Sequence, residues 1–155
     1  MAIEIERKFL VKHTDWLEHH SGTAYKQGYV VNSEGTTVRV RIAGDRGILT
    51  IKGGAVGLRR PEFEYEIPLE DAEEMLILLC AEPKIEKTRY KIPVGTHVWD
   101  VDIFHGDNDG LIVAEVELSS PNEAFEKPDW LAEEVTGDAR YFNAQLIRNP
   151  FKDWT

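Results

Sequence analysis

Hydrophobic and polar residues alternate with a period of two along most of the chain. In the first such stretch, IEIERKF, Glu4, Glu6 and Lys8 fall at one parity, opposite isoleucine and phenylalanine at the other. Similar stretches rich in β-branched and aromatic residues follow, separated by glycine-bearing turns. They are AYKQGYVV, TTVRVRIA, GILTIKG, PEFEYEIPL, IEKTRYKI, HVWDVDIF and LIVAEVELS. The pattern predicts eight strands that pair mostly with their sequence neighbours.

Helical spacing appears between and after these strands. The segment LEDAEEMLILLC places apolar residues along one stripe and acidic residues in the first turn, where the helix dipole favours them. Shorter helices are predicted in HTDWLEHH, NEAFEKPDWLAEEV and DARYFNAQLIRN. Because closing eight antiparallel strands removes exposed edges, we predict one α+β domain over residues 1–155, an eight-stranded antiparallel closed β-barrel with helices packed outside.

One parity of the predicted strands carries charge in every strand. Its members are Glu4, Glu6, Lys8, Lys26, Arg39, Arg41, Lys52, Glu62, Glu64, Glu66, Lys87, Arg89, Asp100, Asp102, Glu115 and Glu117. Two arrangements fit this pattern. The charged face can meet water on the outside of the sheet, or, if the helices cover an apolar outer face, it can line the inside of the barrel. An inward face would need ligands to offset its charge.

Composition narrows the class of protein. With 42% hydrophobic and 30% charged residues, the 155-residue chain has the composition of an ordinary globular domain. The longest apolar run, MLILLCA, is too short to span a membrane, and charged residues stand where a signal peptide would need an apolar core. Cys80 is the single cysteine, so we predict no disulfide and a cytoplasmic location. A net charge of -10 argues against a general nucleic-acid binder.

Several short motifs together resemble a known family. The E-x-E-x-K run from Glu4 to Lys8 is followed in order by YKQGYV, TVRVRI, LTIKG, RRPEFEYEIP, EKTRY, WDVDIF, AEVEL and VTGDARYFNAQL. This succession resembles the CYTH superfamily, the triphosphate tunnel metalloenzymes, over nearly the entire chain. The resemblance implies that the charged parity faces the lumen of the barrel, where a triphosphate and a divalent metal bind.

The resemblance also implies roles for individual residues. The implied catalytic residues are Glu4, Glu6, Lys8, Glu62, Glu64 and Glu117. The implied phosphate-binding residues are Lys8, Lys26, Arg39, Arg41, Lys52, Lys87 and Arg89. The implied ligands of Mg²⁺ or Mn²⁺ are Glu4, Glu6, Asp102, Glu115 and Glu117, whose oxygen atoms suit these ions.

From this we expect a divalent-metal-dependent triphosphatase that hydrolyses inorganic triphosphate to diphosphate and phosphate. The alternatives are a thiamine or nucleoside triphosphatase, then a class IV adenylyl cyclase, and outside enzymes a module that binds polyphosphate or nucleotides. The predicted partner is a small-molecule triphosphate, with no nucleic acid and no membrane. The sequence is compatible with both a monomer and a homodimer.

Overall fold

The structure is a computed structural model that describes residues 2–80 and 84–154. The described residues form nine strands. They are β1 (Ala2–Val11), β2 (Thr23–Asn32), β3 (Thr36–Ala43), β4 (Arg46–Gly53), β5 (Arg59–Ile67), β6 (Ile85–Val94), β7 (His97–Phe104), β8 (Ile112–Glu117) and β9 (Leu131–Glu134). The described residues also form two α-helices, α1 (Leu69–Leu78) between β5 and β6 and α2 (Asn143–Leu146) after β9. Short 3-10 helices cover Asp15–His19, Gly106–Asn108, Ala139–Tyr141 and Phe151–Asp153.

The first eight strands close into an antiparallel barrel. Their order is β5-β4-β3-β2-β6-β7-β8-β1, and β1 returns to β5 through pairs such as Glu4 with Arg60. The predicted eight-stranded closed barrel is therefore confirmed. The first half of β1 pairs with β5 along one edge, and further along the same edge β1 pairs with β9 at Phe9 and Val11. This ninth strand lies in a segment for which the sequence pattern predicted a helix, and that helix is absent from the structure.

Apolar side chains cover the outside of the barrel. One cluster, which includes Ile5, Trp99, Val101 and Val116, packs beneath β9 and the segment that precedes it. A second cluster lies under α1, on the outer face of β3 and β4. Burial of these surfaces supplies the hydrophobic stabilisation of the fold, because it removes apolar area from water. The opposite face of every barrel strand is thereby left pointing inward.

The C-terminal segment, residues 137–154, is called the tail below. A helix was predicted over DARYFNAQLIRN, either near one mouth of the barrel or against its outer wall, but the tail forms only short helical turns. Its fully buried Leu146 clusters with Ile85, Phe104 and Val113, which belong to the inward-facing rows of β6, β7 and β8. The tail thus packs into one end of the barrel instead of against its outer wall. Within the described residues, no helix has the length and apolar character that a membrane crossing requires.

Candidate active site in the barrel lumen

The inner face of the barrel, called the lumen wall below, is charged. Lys8, Arg41, Lys87, Arg89 and Asp102 all have relative exposures of 8% or less. Such burial excludes the arrangement in which the charged parity faces bulk water. Burying this many ions is costly unless each is paired or a ligand completes the pairing.

Carboxylates from β1 and β5 meet beside one lysine. Lys52 Nζ donates to Glu4 Oε2 at 2.7 Å and lies 3.6 Å from Glu62 Oε2. Burial, together with a hydrogen bond to Glu62, raises the pKa of Glu4 in spite of this lysine. Glu64, two residues further along β5, is exposed and accepts a hydrogen bond from Thr50 Oγ1 at 3.3 Å. This part of the lumen wall carries more negative charge than its lysine neutralises.

Glu6 is the most strongly perturbed carboxylate. Burial raises its pKa to about 8, and the negative charges of Glu115 and Glu4 add to the effect. In the β1–β8 ladder Glu6 stands directly opposite Glu117, whose own pKa is raised by burial and by Glu4. Among the described residues, neither of these two facing carboxylates has a cation of its own in an ion pair. A bound cation would relieve this arrangement.

Glu115 and Asp102, by contrast, already have cationic partners. Lys8 Nζ lies 3.2 Å from Glu115 Oε1, and although burial opposes ionisation, Lys8 and Arg89 lower the pKa of Glu115 to about 2. Asp102 accepts from Arg89 Nε and Nη2 at 2.7 and 2.8 Å, and Lys87 Nζ lies 2.8 Å away. Despite burial, these two cations lower the pKa of Asp102 below its usual range. Both oxygens of Asp102 are therefore engaged.

Positively charged side chains are crowded together on the opposite side of the lumen. Burial, and then repulsion by Arg39 and Arg89, lower the pKa of Arg41 to about 9. The guanidinium carbons of Arg41 and Arg89 lie 4.8 and 4.9 Å from the centroid of the Tyr25 ring. Arg39 donates to Thr50 at 3.2 Å, while its Nε is buried and has no acceptor within residues 2–80 and 84–154. This unpartnered donor in a cluster of cations marks a place for an anion.

The two charge excesses lie on opposite walls. In the closed ring, β2 stands four strands from β1 in either direction, and the arginines come from its neighbours β3 and β6. The carboxylates of the acidic wall come from β1 and its neighbours β5 and β8. A ligand that combines oxyanions with a divalent cation would satisfy both walls at once.

Lys26 does not join this site, so its predicted place on the lumen wall is wrong. It is exposed, and its strand neighbours in register are Ile42 and Glu86, which belong to the outer face. Gln27 takes the inward position instead and pairs with Arg41. Glu66, at the far end of β5, likewise stays in solvent and forms an exposed ion pair with Arg46.

Two polar residues of the site, Gln27 and Asn143, were not predicted from the sequence. Gln27 is fully buried and accepts from Arg41 Nε at 2.7 Å, while its own Nε2 donates to Asn143 Oδ1 at 3.1 Å. Lys87 Nζ donates to the same oxygen at 3.0 Å. Gln27 alternates with Tyr25 and Tyr29 on one face of β2, and a polar residue between two aromatic ones could have indicated its role. Nothing local to the tail distinguishes Asn143.

The residues on the acidic wall fit a divalent cation by their chemistry. Glu4, Glu6 and Glu117 offer carboxylate oxygens, the ligands that Mg²⁺ and Mn²⁺ prefer, and the first two are buried enough that an added cation would offset a real cost. Among the described residues, no group of three or more acidic, histidine or cysteine side chains is already gathered at coordinating distance. Coordination by all three would therefore require side-chain rotation.

Taken together, the structure defines a closed β-barrel whose lumen has an arginine-rich wall opposite an acidic one. The CYTH domain model matches residues 2–149, and the chain belongs to this family. A curated protein of Acetivibrio thermocellus named inorganic triphosphatase is 47% identical over 99% of both chains. One of the same name from Nitrosomonas europaea is 38% identical over 92% of this chain and 95% of its own. A crystal structure of an inorganic triphosphatase superposes with a TM-score of 0.66 at 32% identity and covers 95% of each chain.

Proposed function

We propose that the protein is a divalent-metal-dependent triphosphatase that hydrolyses inorganic triphosphate to diphosphate and phosphate inside the barrel. The observation that carries this proposal is the separation of charge across the lumen, with Arg39, Arg41 and Arg89 opposite Glu4 and Glu6. A triphosphate supplies the anion for one wall, and its bound metal supplies the cation for the other. The names of the similar proteins point to the same substrate.

We assign metal binding, phosphate binding and orientation to three different groups of residues. Glu4, Glu6 and Glu117 would hold Mg²⁺ or Mn²⁺, which when bound neutralises charge on phosphate oxygens. The phosphate-binding set is Lys8, Arg39, Arg41, Lys52, Lys87 and Arg89. Asp102 and Glu115 were predicted as metal ligands, but their cationic partners favour a role in orienting the lysines and arginines around them.

Hydrolysis needs a water in line with the scissile bond and a stabilised leaving group. Water attacks a terminal phosphorus, the bridging P–O bond breaks, and diphosphate leaves while the water proton passes to a nearby base or to solvent. Glu62 and Glu64 line the lumen where such a water could be oriented, and both can accept a proton. The arginine wall stabilises the charge that develops on the departing diphosphate.

The test is phosphate release from inorganic triphosphate, ATP and thiamine triphosphate in parallel, each with Mg²⁺, Mn²⁺ or chelator. We expect metal-dependent turnover with inorganic triphosphate preferred, loss of turnover in Glu6→Gln, and unchanged turnover in Glu86→Gln, which alters an exposed residue of β6. Preference for ATP or thiamine triphosphate would replace the proposed substrate. Pyrophosphate release from ATP with formation of cyclic AMP would favour a cyclase, and tight binding without turnover would favour the binding module.

Two further expectations accompany this proposal. Sedimentation of the same sample decides between a monomer and a homodimer. We also propose a cytoplasmic location, because a lone cysteine gives the chain no disulfide to form in an oxidising compartment.

A further inference from the structure

Three side chains of the lumen wall form a row across β3, β4 and β5. Arg39 lies directly opposite Thr50, and Thr50 lies directly opposite Glu64. The distance from Arg39 Nη2 to Thr50 Oγ1 is 3.2 Å, and the distance from Thr50 Oγ1 to Glu64 Oε2 is 3.3 Å. Thr50 is 1% exposed, so its hydroxyl depends on these two partners. One buried hydroxyl thus connects a phosphate-binding cation of the proposed function with one of its water-orienting carboxylates.

The direction of both hydrogen bonds follows from the chemistry of the partners. A guanidinium group can only donate, so Thr50 Oγ1 accepts from Arg39. An ionised carboxylate can only accept, so the hydroxyl proton of Thr50 is donated to Glu64. Valine has nearly the shape of threonine but no hydroxyl and would lose both bonds, whereas serine would keep them.

Arg39 depends on this hydroxyl more than its neighbouring arginines do on theirs. Arg41 is fixed by Gln27, and Arg89 is fixed by the carboxylate of Asp102. In the part of the chain that the structure describes, the Arg39 guanidinium has Thr50 as its one hydrogen-bond partner, and its buried Nε has none. Thr50 is therefore what holds the Arg39 guanidinium in place while other N–H groups remain available to an oxyanion.

Thr50 also stands between two opposite charges. Adjacent strands lie about 4.8 Å apart, so the backbones of β3 and β5 are separated by roughly twice that distance at this level. The long side chains of Arg39 and Glu64 can together span such a gap. Among the described residues, however, neither of them forms an ion pair. The hydroxyl between them takes the place of a direct contact.

We infer that Thr50 is a positioning residue for hydrolysis, which keeps Arg39 available to phosphate and Glu64 available to the attacking water by preventing a direct ion pair between them. This inference rests on the proposed function. Without the hydroxyl, the two opposite charges would close on each other across the partly buried lumen wall. Arg39 would then offer less charge to the substrate, and Glu64 would be turned away from the water.

The kinetics of inorganic triphosphate hydrolysis with Mg²⁺ in two variants separate this role from simple packing. Thr50→Val keeps the volume and loses the hydroxyl. We expect its kcat to fall about tenfold or more with a smaller change in KM, because misplaced groups cost most in the transition state. Thr50→Ser keeps the hydroxyl and loses a methyl group, and its kcat should stay within about threefold of the wild type. A residue that served packing alone would give the opposite order, with serine the more damaging substitution.

Thr88→Val is the matched control. Thr88 is also a strand threonine whose hydroxyl forms a hydrogen bond, to His105 Nε2 at 2.8 Å, but it lies between Lys87 and Arg89 and so faces outward from the barrel. Its kcat and KM should equal those of the wild type. An equal loss of activity in Thr88→Val and Thr50→Val, or full activity in Thr50→Val, would overturn the inference. Thr50→Ala, which also lacks the hydroxyl, takes the place of the valine variant if the latter does not fold.

Crystal structures of the wild type and of Thr50→Val, both without ligand, test the separation of charge independently of activity. In the variant we expect a nitrogen of Arg39 within about 4 Å of a carboxylate oxygen of Glu64, the distance of an ion pair. An Arg39 side chain that keeps its wild-type position would reject the inference.

The proposed function and the role of Thr50 fail in different ways. If the wild-type protein hydrolyses no triphosphate, the proposed function is wrong, and the pair of crystal structures still decides whether Thr50 holds Arg39 and Glu64 apart. If the wild type and Thr50→Val hydrolyse inorganic triphosphate equally well, the function stands and Thr50 has no positioning role.

Discussion

Replacing Glu6 by glutamine should stabilise the metal-free protein while it abolishes catalysis. Glu6 is buried beside Glu115 and Glu4, which together with burial raises its pKa to about 8. A carboxylate that is forced to ionise in such a place opposes folding. Glutamine has nearly the same shape and no charge, so the substitution removes this penalty and, with it, one proposed metal ligand.

The magnitude follows from linkage between ionisation and folding. Below pH 4.5 the carboxyl is protonated in the folded and unfolded states alike, and its charge contributes nothing. As the pH rises from there to about 8, the unfolded chain ionises first, so the folded protein loses stability. The gap between the two pKa values corresponds to about 5 kcal/mol, at about 1.4 kcal/mol for each pH unit. Protonation of Glu4 can relieve part of the repulsion that Glu6 experiences. We therefore expect the substitution to raise the free energy of unfolding by about 2 to 5 kcal/mol.

Urea unfolding in the presence of chelator measures this effect. The stability of Glu6→Gln should match that of the wild type near pH 4.5 and exceed it increasingly toward pH 9, while Glu86→Gln should stay within about 0.5 kcal/mol of the wild type throughout. Addition of Mg²⁺ should stabilise the wild type more than the variant. A variant that is no more stable than the wild type at pH 9, or a difference that does not change with pH, would refute the reasoning.

Three further predictions concern other parts of the barrel. Asp102→Ala leaves two cations buried without their shared carboxylate and should lower the free energy of unfolding by about 3 to 5 kcal/mol in urea titrations. Gly28→Val should lower the thermal midpoint, at a cost of about 1 to 3 kcal/mol, because a Cβ at Gly28 would lie 2.9 Å from that of Cys80, which follows α1. Lys26→Ala should leave the KM for inorganic triphosphate unchanged, whereas Arg41→Ala should raise it at least about tenfold, and equal effects of both would contradict the placement of these residues.

The strand pattern was sufficient to predict eight strands and the residues that share their charged face, whereas the resemblance to the CYTH family implied that this face lines the lumen. Residues such as Glu4, Arg41 and Asp102 alternate with aliphatic neighbours, so their side of the strand could be read directly. The second strand lacks this contrast. Tyr25, Lys26 and Gln27 are all compatible with either face, and only the neighbours across β3 and β6 place Gln27 inside.

The tail and β9 could not be predicted from local sequence for a different reason. The segment LAEE has a composition that suits a helix, but β1 extends past its pairing with β5 and leaves backbone groups that β9 satisfies. The position of Asn143 is set by the apolar packing of Leu146 and its neighbours at the barrel end. Both depend on contacts between residues more than a hundred positions apart.

The double role of β1 has a consequence for how the chain acquires its structure. This strand pairs with β5 at Glu62 and with β8 at Glu115, so the barrel cannot close until more than a hundred residues have followed it. Hairpins such as β3–β4 can form from nearby residues, but closure must overcome the entropy of a long loop. On the ribosome β1 would therefore wait as an unpaired strand while its partners are synthesised, which makes its alternating charges useful in a second way, because charged residues discourage pairing with other chains.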